Sequence, residues 1–237
     1  MPAIQRLVRG LKRVVKRWAP RTYEVAWKTA DPVRKRVRRI LWSRFFTREI
    51  RNRRLDALFG GYCGGETSSR FPDSGAFATQ SMQYDELDRL FDPARGGVAI
   101  TPSDVLVDVG CGKGRVLNFW LHQGLTNRIV GLELDPDVAS TTAARLRSYP
   151  NVVVEAGDAI ERLPPDGTLF FLFNPFDRPV WERFKAALEE RCRAGSRPRL
   201  LYYNTMFVDV FERDSAWRVT GLAARTFCPA ALIEYVG

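Results

Sequence analysis

From Asp104 to the carboxyl end, short oily runs alternate with helix-length stretches, and that alternation leaves few folds open to the chain. The runs are "VLVDV" 105–109, "RIVGLEL" 128–134, "NVVVEAG" 151–157, "TLFFLFN" 168–174 and "RLLYYNT" 199–205. Helical patterns near 114–123, 137–148 and 179–193 fall between them, and another precedes them at about Gln83 to Phe91. The runs are continuously apolar, so both faces of each strand are covered, which describes a parallel sheet between two helical layers. "AWRVTGLA" 216–223 and "AALIEYV" 230–236 have no helix between them and predict an antiparallel pair at the sheet edge.

Charge divides the chain differently. Residues 1–54 hold 18 Lys and Arg against three acids, whereas residues 55–237 hold 19 against 24, so the net +10 belongs to an amino-terminal arm. In residues 4–18, Ile4, Leu7, Val8, Leu11, Val14, Val15 and Trp18 recur at helical spacing among arginines and lysines, which predicts a basic amphipathic helix ending at Ala19-Pro20. Asp31-Pro32 supplies an N-cap and a first-turn proline for a second helix. Residues 59–81 are rich in Gly and Ser and read as a linker or mobile loop. The expected division is a basic helical extension over 1–58, a loop or lid over 59–82 and a core domain over 83–237.

Three readings of the arm stand side by side: attachment to an anionic membrane with Trp18, Trp27 and Trp42 at the interface, binding of nucleic-acid phosphates, or packing on the core domain with solvated basic faces. No apolar run approaches the length of a membrane span, and the amino terminus lacks a secretory pattern, so the expectation is a cytoplasmic protein, with peripheral membrane attachment through the arm as one variant. Cys63, Cys111, Cys192 and Cys228 have no metal-site spacing and read as reduced thiols. With His122 as the sole histidine, a histidine-based metal site is excluded, and no metal is expected.

The chemistry concentrates at strand ends. "VLVDV" runs into "GCGKGRVL", giving D-x-G-x-G-x-G from Asp108, Gly110, Gly112 and Gly114 between a strand and a helix. Glycines there permit a tight turn and close ligand approach, and the following helix aims its amides at the site. The acid two residues before the first glycine disfavours a pyrophosphate and suits a ligand with an amino group. Glu133, 25 residues past Asp108, ends the next strand, where a carboxylate accepts ribose hydroxyls. Asp158, in "GDA" after the third strand, is placed for an adenine amino group.

With these residues in place, about residues 83–237 resemble the class I S-adenosylmethionine-dependent methyltransferases. "VLVDVGCGKG" is similar to their first motif, "GLELD" to the acidic second-strand motif, "GDA" to the adenine-contacting motif and "NPF" to the motif after the fourth strand. The combination of the glycine loop with NPF looks like a bacterial subgroup of these enzymes. The resemblance implies a three-layer Rossmann-like α/β fold with seven strands in the order 3-2-1-4-5-7-6 and the last strand antiparallel. It implies S-adenosylmethionine as cofactor, with Asp108, Gly110, Cys111, Gly112 and Gly114 at its methionine part, Glu133 and Leu134 at the ribose, Asp158 and Ala159 at the adenine, and Asn174 beside them.

Asn174-Pro175-Phe176 is similar to the [D/N]-P-P-[Y/F] of amino-group methyltransferases, without the second proline. There the Asn oxygen and a Pro carbonyl accept from the target nitrogen. Asn174 offers an acceptor, Pro175 a fixed φ and Phe176 a stacking face. Gln83 and Tyr84, just before the core, are candidate lid residues over the acceptor side. His122, far along its helix, reads as structural or surface, so a nitrogen acceptor on a small molecule or protein is favoured over a hydroxyl needing a base. The alternatives are a nucleic-acid amino group reached with the basic arm, a non-catalytic cofactor-binding RNA-binding protein, and an aminopropyltransferase, which shares the sheet and glycine loop but would need an acidic polyamine channel.

Overall fold

The computed structural model describes residues 32–67, 71, 74–77 and 79–237. Arg51–Gly237 form one compact body, and the described residues up to Ile50 belong to a second unit. The expected basic helix over 4–18 lies outside the described residues. Helix α1 (Pro32–Leu58) begins at the anticipated proline. The glycine-rich stretch after it carries a two-stranded antiparallel pair, β1 (Glu66–Thr67) with β2 (Thr79–Gln80). Phe59, Cys63 and Met82 from this stretch are buried.

Helix α2 (Tyr84–Leu90) leads into strand β3 (Leu106–Val109), then α3 (Arg115–His122), β4 (Ile129–Glu133), α4 (Pro136–Leu146) and β5 (Val152–Ala156). The second half runs β6 (Leu169–Phe173), α5 (Arg178–Arg193), β7 (Arg199–Tyr203), α6 (Asp209–Glu212), β8 (Trp217–Gly221) and β9 (Ala230–Tyr235). The seven strands β3–β9 form one sheet in the order β5-β4-β3-β6-β7-β9-β8, which is 3-2-1-4-5-7-6 counted from β3. β9 runs antiparallel to both β7 and β8, and the other pairs are parallel. The three-layer Rossmann-like sheet is therefore as expected, including the helix-free final hairpin.

Side-chain alternation sorts the core into two layers. Leu106, Leu169 and Phe171 face Leu117 and Trp120 of α3 and Leu87 of α2. Val107, Val109, Phe170 and Leu172 face Trp181, Phe184 and Leu188 of α5. Every residue of β3 and β4 is buried, whereas the edge strand β5 exposes Val153 and Ala156. Both faces being covered explains the unbroken apolar runs. The four cysteines are buried and unpaired, and His122 is an exposed last residue of α3.

A buried polar cluster fastens the end of α1 to the start of α3. Both carboxylate oxygens of Asp56 are filled: Arg115 Nε donates to Oδ1 at 3.1 Å and Nη2 to Oδ2 at 2.5 Å, while Tyr84 Oη and Cys63 N donate at 3.0 Å each. Arg115 Nη1 also donates to Met82 O at 2.8 Å. From α4, Arg145 donates to Phe59 O, Asn118 Oδ1 and Lys113 O. Planar guanidinium forks suit such multidentate sites, and full satisfaction of each charge is what makes its burial tolerable.

Candidate functional site

Strand order reverses at β3, whose neighbours β4 and β6 lead away in opposite directions. Open α/β sheets bind ligands at such a switch point, outside the carboxyl ends of the strands. A cleft of about 110 Å³ lies there, walled by Val109 and Gly110 at the end of β3, Leu132–Leu134 at the end of β4, Gly157–Ala159 after β5 and Phe173–Phe176 at the end of β6. Residues Ser74, Ala76, Phe77 and Gln80 close one side.

The loop after β3 is shaped from beneath. Gly110 has φ of +77°, and a Cβ there would touch Pro175 Cβ at an ordinary 3.4 Å. Gly114 has φ of +73°, and its Cβ would strike Thr142 Cγ2 at 2.8 Å. The positive φ calls for glycine at both positions, and at Gly114 the clash adds a steric reason. Gly112 N donates to Glu133 Oε2 at 2.8 Å, and Gly112 O accepts from Thr142 Oγ1 at 2.9 Å. Cys111 turns its thiol inward; a Cβ on Gly131 would meet that sulfur at 2.8 Å. Of the loop residues expected at the cofactor, Gly110 lines the cleft, while Cys111, Gly112 and Gly114 build the turn that presents it.

Two buried carboxylates, Asp108 and Glu133, lie near enough beside this loop to feel each other's charge. Asp108 is 3% exposed, and its Oδ2 has no hydrogen-bond partner among the described residues. Burial, then the neighbouring Glu133 charge, pushes its pKa well above the usual carboxylate range. Glu133 is raised as well, by burial first, although amides of Asp135 and Gly112 donate to it and offset part of that cost. Asp158, on the cleft wall, accepts from Ile160 N at 2.8 Å in an Asx-type turn. Asp135 is the N-cap of α4, accepting from Asp137 N at 2.9 Å. Among the described residues lining the cleft are two acids and no Lys or Arg. Arg183 Nη2, outside the lining, lies 3.7 Å from Asp158 Oδ2, so the acidic character rests on Glu133 with Asp108 beside it, a setting that favours a cationic ligand over a phosphate.

At the end of β6, Asn174 has φ of +42°, a left-handed conformation that Asn tolerates better than most residues. It is 8% exposed and is held at both ends of its amide. Tyr202 Oη donates to Asn174 Oδ1 at 2.8 Å, and Nδ2 lies 3.1 Å from Met206 Sδ. The Tyr202 hydroxyl in turn accepts from Phe207 N at 3.2 Å, and burial pushes its pKa up to about 12, so it stays a donor. The parallel strand β7 ends the same way, with Asn204 at φ +61°. The turn it starts carries Met206 and Phe207 to the side of Asn174.

Three acceptor-side expectations change. Tyr84 is fully buried, with its hydroxyl donating to Asp56, and Gln83 accepts from Asn52; neither lines the cleft. The requirement to satisfy the buried Asp56–Arg115 pair draws Tyr84 into the core. Phe176 lines the cleft but is 8% exposed, its ring packed on Trp181 and Phe184 at 5.5 and 5.4 Å, so it offers no free stacking face. The Pro175 carbonyl is engaged by Phe77 N at 3.1 Å. The cover is instead residues 75–77, bridged antiparallel to 175–177 through Ala76 and Phe176, with Asp177 N donating to Gly75 O at 2.8 Å. Sequence reasoning missed Tyr202, Met206 and this strap. The repeated strand-Asn pattern of "FNPF" and "YYNTMF" was the available signal for the two left-handed turns.

No family model matches the chain, and no curated protein matches it. Solved structures do. A mitomycin 7-O-methyltransferase superposes with a TM-score of 0.50 at 17% identity, over 65% of this chain and 54% of that one. An RNA methyltransferase from Salinibacter ruber, in complex with S-adenosyl-L-homocysteine, gives 0.46 at 20% identity, over 65% and 92%. An N,N-8-amino-8-demethyl-D-riboflavin dimethyltransferase from Streptomyces davawensis gives 0.49 at 15%, over 65% and 53%. The chain thus spans about half the length of the mitomycin enzyme. At these identities the likeness is one of architecture: the body shares its α/β sheet with the mitomycin 7-O-methyltransferase structure.

Proposed function

We propose that the cleft binds S-adenosylmethionine and that the protein transfers its methyl group to an acceptor nitrogen on a small molecule or protein. The observation that carries this reading is the Asp108 Oδ2 atom, buried without a partner beside a cleft whose described lining has acids and no Lys or Arg. A cationic ligand with a donor group supplies what that oxygen lacks. Glu133 keeps lone pairs beyond those used by its two backbone donors, so it can still accept ribose hydroxyls. Asp158 and Ala159 form the adenine end of the wall, and Leu134 packs between.

When bound, S-adenosylmethionine supplies an electrophilic methyl on a sulfonium centre. The residues then have only to hold an acceptor in line and keep water away. Asn174, locked by Tyr202, presents an oxygen with a lone pair to spare for an N–H group. A neutral amine needs no prior deprotonation, which agrees with a cleft holding no histidine among its described residues. Pro175 sets the turn and buttresses Gly110. The arm, net +15 over residues 1–54, is read as a contact for an anionic surface, with the protein cytoplasmic or peripherally membrane-attached. The test is an acceptor screen with a methyl-labelled donor. Transfer that disappears in Asp108→Ala and falls in Asn174→Ala supports the reading; label transfer undiminished by both substitutions contradicts it.

A further inference from the structure

Helix α4 grips the glycine turn through two side chains, neither of which lines the cleft. Thr142 and Arg145 stand three positions apart on α4 and so share a face. Thr142 is 2% exposed, and its hydroxyl donates to Gly112 O at 2.9 Å. A helical threonine can instead return its hydroxyl to the carbonyl four residues back. Thr141 does so, donating to Asp137 O at 2.8 Å, whereas Thr142 reaches out to the turn. Arg145 Nη2 donates to Lys113 O at 2.7 Å, while Nη1 donates to Phe59 O at 2.7 Å and to Asn118 Oδ1 at 2.9 Å. Two further bonds come from the turn itself: Gly112 N donates to Glu133 Oε2 and Gly114 N to Cys111 O, both at 2.8 Å.

A peptide unit is planar, so a hydrogen bond at either of its ends orients the whole unit. The three units from Cys111 to Gly114 are each held in this way. Glu133 holds the first, Thr142 the second, and Arg145 together with Cys111 O the third. Gly110, Gly112 and Gly114, with φ of +77°, +52° and +73°, would otherwise give this stretch wide backbone freedom. Ordering such a turn at the moment of binding subtracts from affinity, whereas a turn ordered beforehand does not. Because Gly112 N holds Glu133, the placement of the turn also sets the carboxylate read above as the ribose acceptor. We infer that Thr142 and Arg145 are positioning residues for the methyl donor. They touch no ligand; they hold the glycine turn in its binding shape, and Glu133 with it. The planar fork of Arg145 joins three acceptors at once, which a lysine's single ammonium does not reproduce.

This inference rests on the proposed donor reading, and one experiment separates the two. The full chain is titrated calorimetrically with S-adenosylhomocysteine, beside Thr142→Val, Thr142→Ser, Thr141→Val and Arg145→Lys, each with its melting transition recorded. Valine keeps the shape of Thr142 and removes the hydroxyl, whereas serine keeps the hydroxyl. Thr142→Val should weaken binding about fivefold and Arg145→Lys about tenfold, while Thr142→Ser and Thr141→Val bind as the unaltered protein does. Backbone amides of residues 110–114 should exchange with deuterium faster in Thr142→Val and in Arg145→Lys, while those of β6 keep their protection. Unchanged affinity in Thr142→Val overturns the role of Thr142, and unchanged affinity in Arg145→Lys overturns that of Arg145. An equal loss in Thr142→Ser or Thr141→Val, or unchanged exchange at 110–114, also overturns the positioning role. Absence of binding by the folded, unaltered protein overturns the donor reading and this inference with it. Arg145→Lys leaves the Thr142 bond in place, so the two variants test the turn independently.

Discussion

At the scale of single residues, Asp108 and Asn174 carry opposite halves of the account. Asp108 has a raised pKa when folded, so folding takes up a proton between the ordinary carboxylate range and that raised value. The free protein therefore loses stability as pH rises through this window, because the unfolded chain binds fewer protons there. Asp108→Asn should flatten that loss, read as melting temperature against pH. The same change should weaken the donor about tenfold or more, since a charge-assisted bond contributes about 1.5–3 kcal/mol. Donor binding should tighten as pH rises, with proton release detectable by calorimetry in buffers of different ionisation enthalpy. Asn174 is oriented by Tyr202, which no cleft-lining position reveals. Tyr202→Phe should lower kcat with little change in donor affinity, whereas a merely structural hydroxyl would change neither.

At the scale of elements, the parallel strands and covering helices were legible because burial on both faces leaves continuous apolar runs, as in β3, β4 and β6. The cleft at the glycine turn was legible for a related reason: glycines and acids at strand ends report backbone geometry and charge locally. The surroundings of Asn174 were not. Tyr84 precedes the core in sequence as a lid residue would, yet the Asp56 carboxylate 28 positions earlier claims its hydroxyl. Phe176 is next to Pro175, yet Trp181 and Phe184 fill its faces. Such outcomes depend on long-range partners that no local pattern encodes. The segment read as a linker carries the strap, while the anchor of α3, Asp56, lies just before it in α1. Asp56→Ala leaves Arg115 buried and unpaired, and should destabilise the body by about 3–5 kcal/mol in urea unfolding. Asp56→Ala combined with Arg115→Leu should recover part of that loss.

At the scale of the whole molecule, charge is divided between a mildly acidic body and a basic arm. The compact body Arg51–Gly237 contains every described residue of the cleft. A chain lacking residues 1–50 should therefore bind the donor with unchanged affinity, while flotation with anionic liposomes, or retention of RNA on filters, falls to background. Liposome binding that survives the deletion would place the anionic contact on the body. The strong charge asymmetry also predicts that any arm-dependent binding weakens steeply with added salt, whereas donor binding in the enclosed cleft does not.

The central claim is that Asp108 and Glu133, under the glycine loop, make a site for S-adenosylmethionine. Its most direct test is isothermal titration calorimetry of the full chain with S-adenosylmethionine, beside Asp108→Ala and Glu133→Ala. The account predicts one-to-one binding by the unaltered protein and a loss of at least tenfold in each variant. No heat of binding from the folded, unaltered protein, or equal affinity in all three proteins, would contradict it.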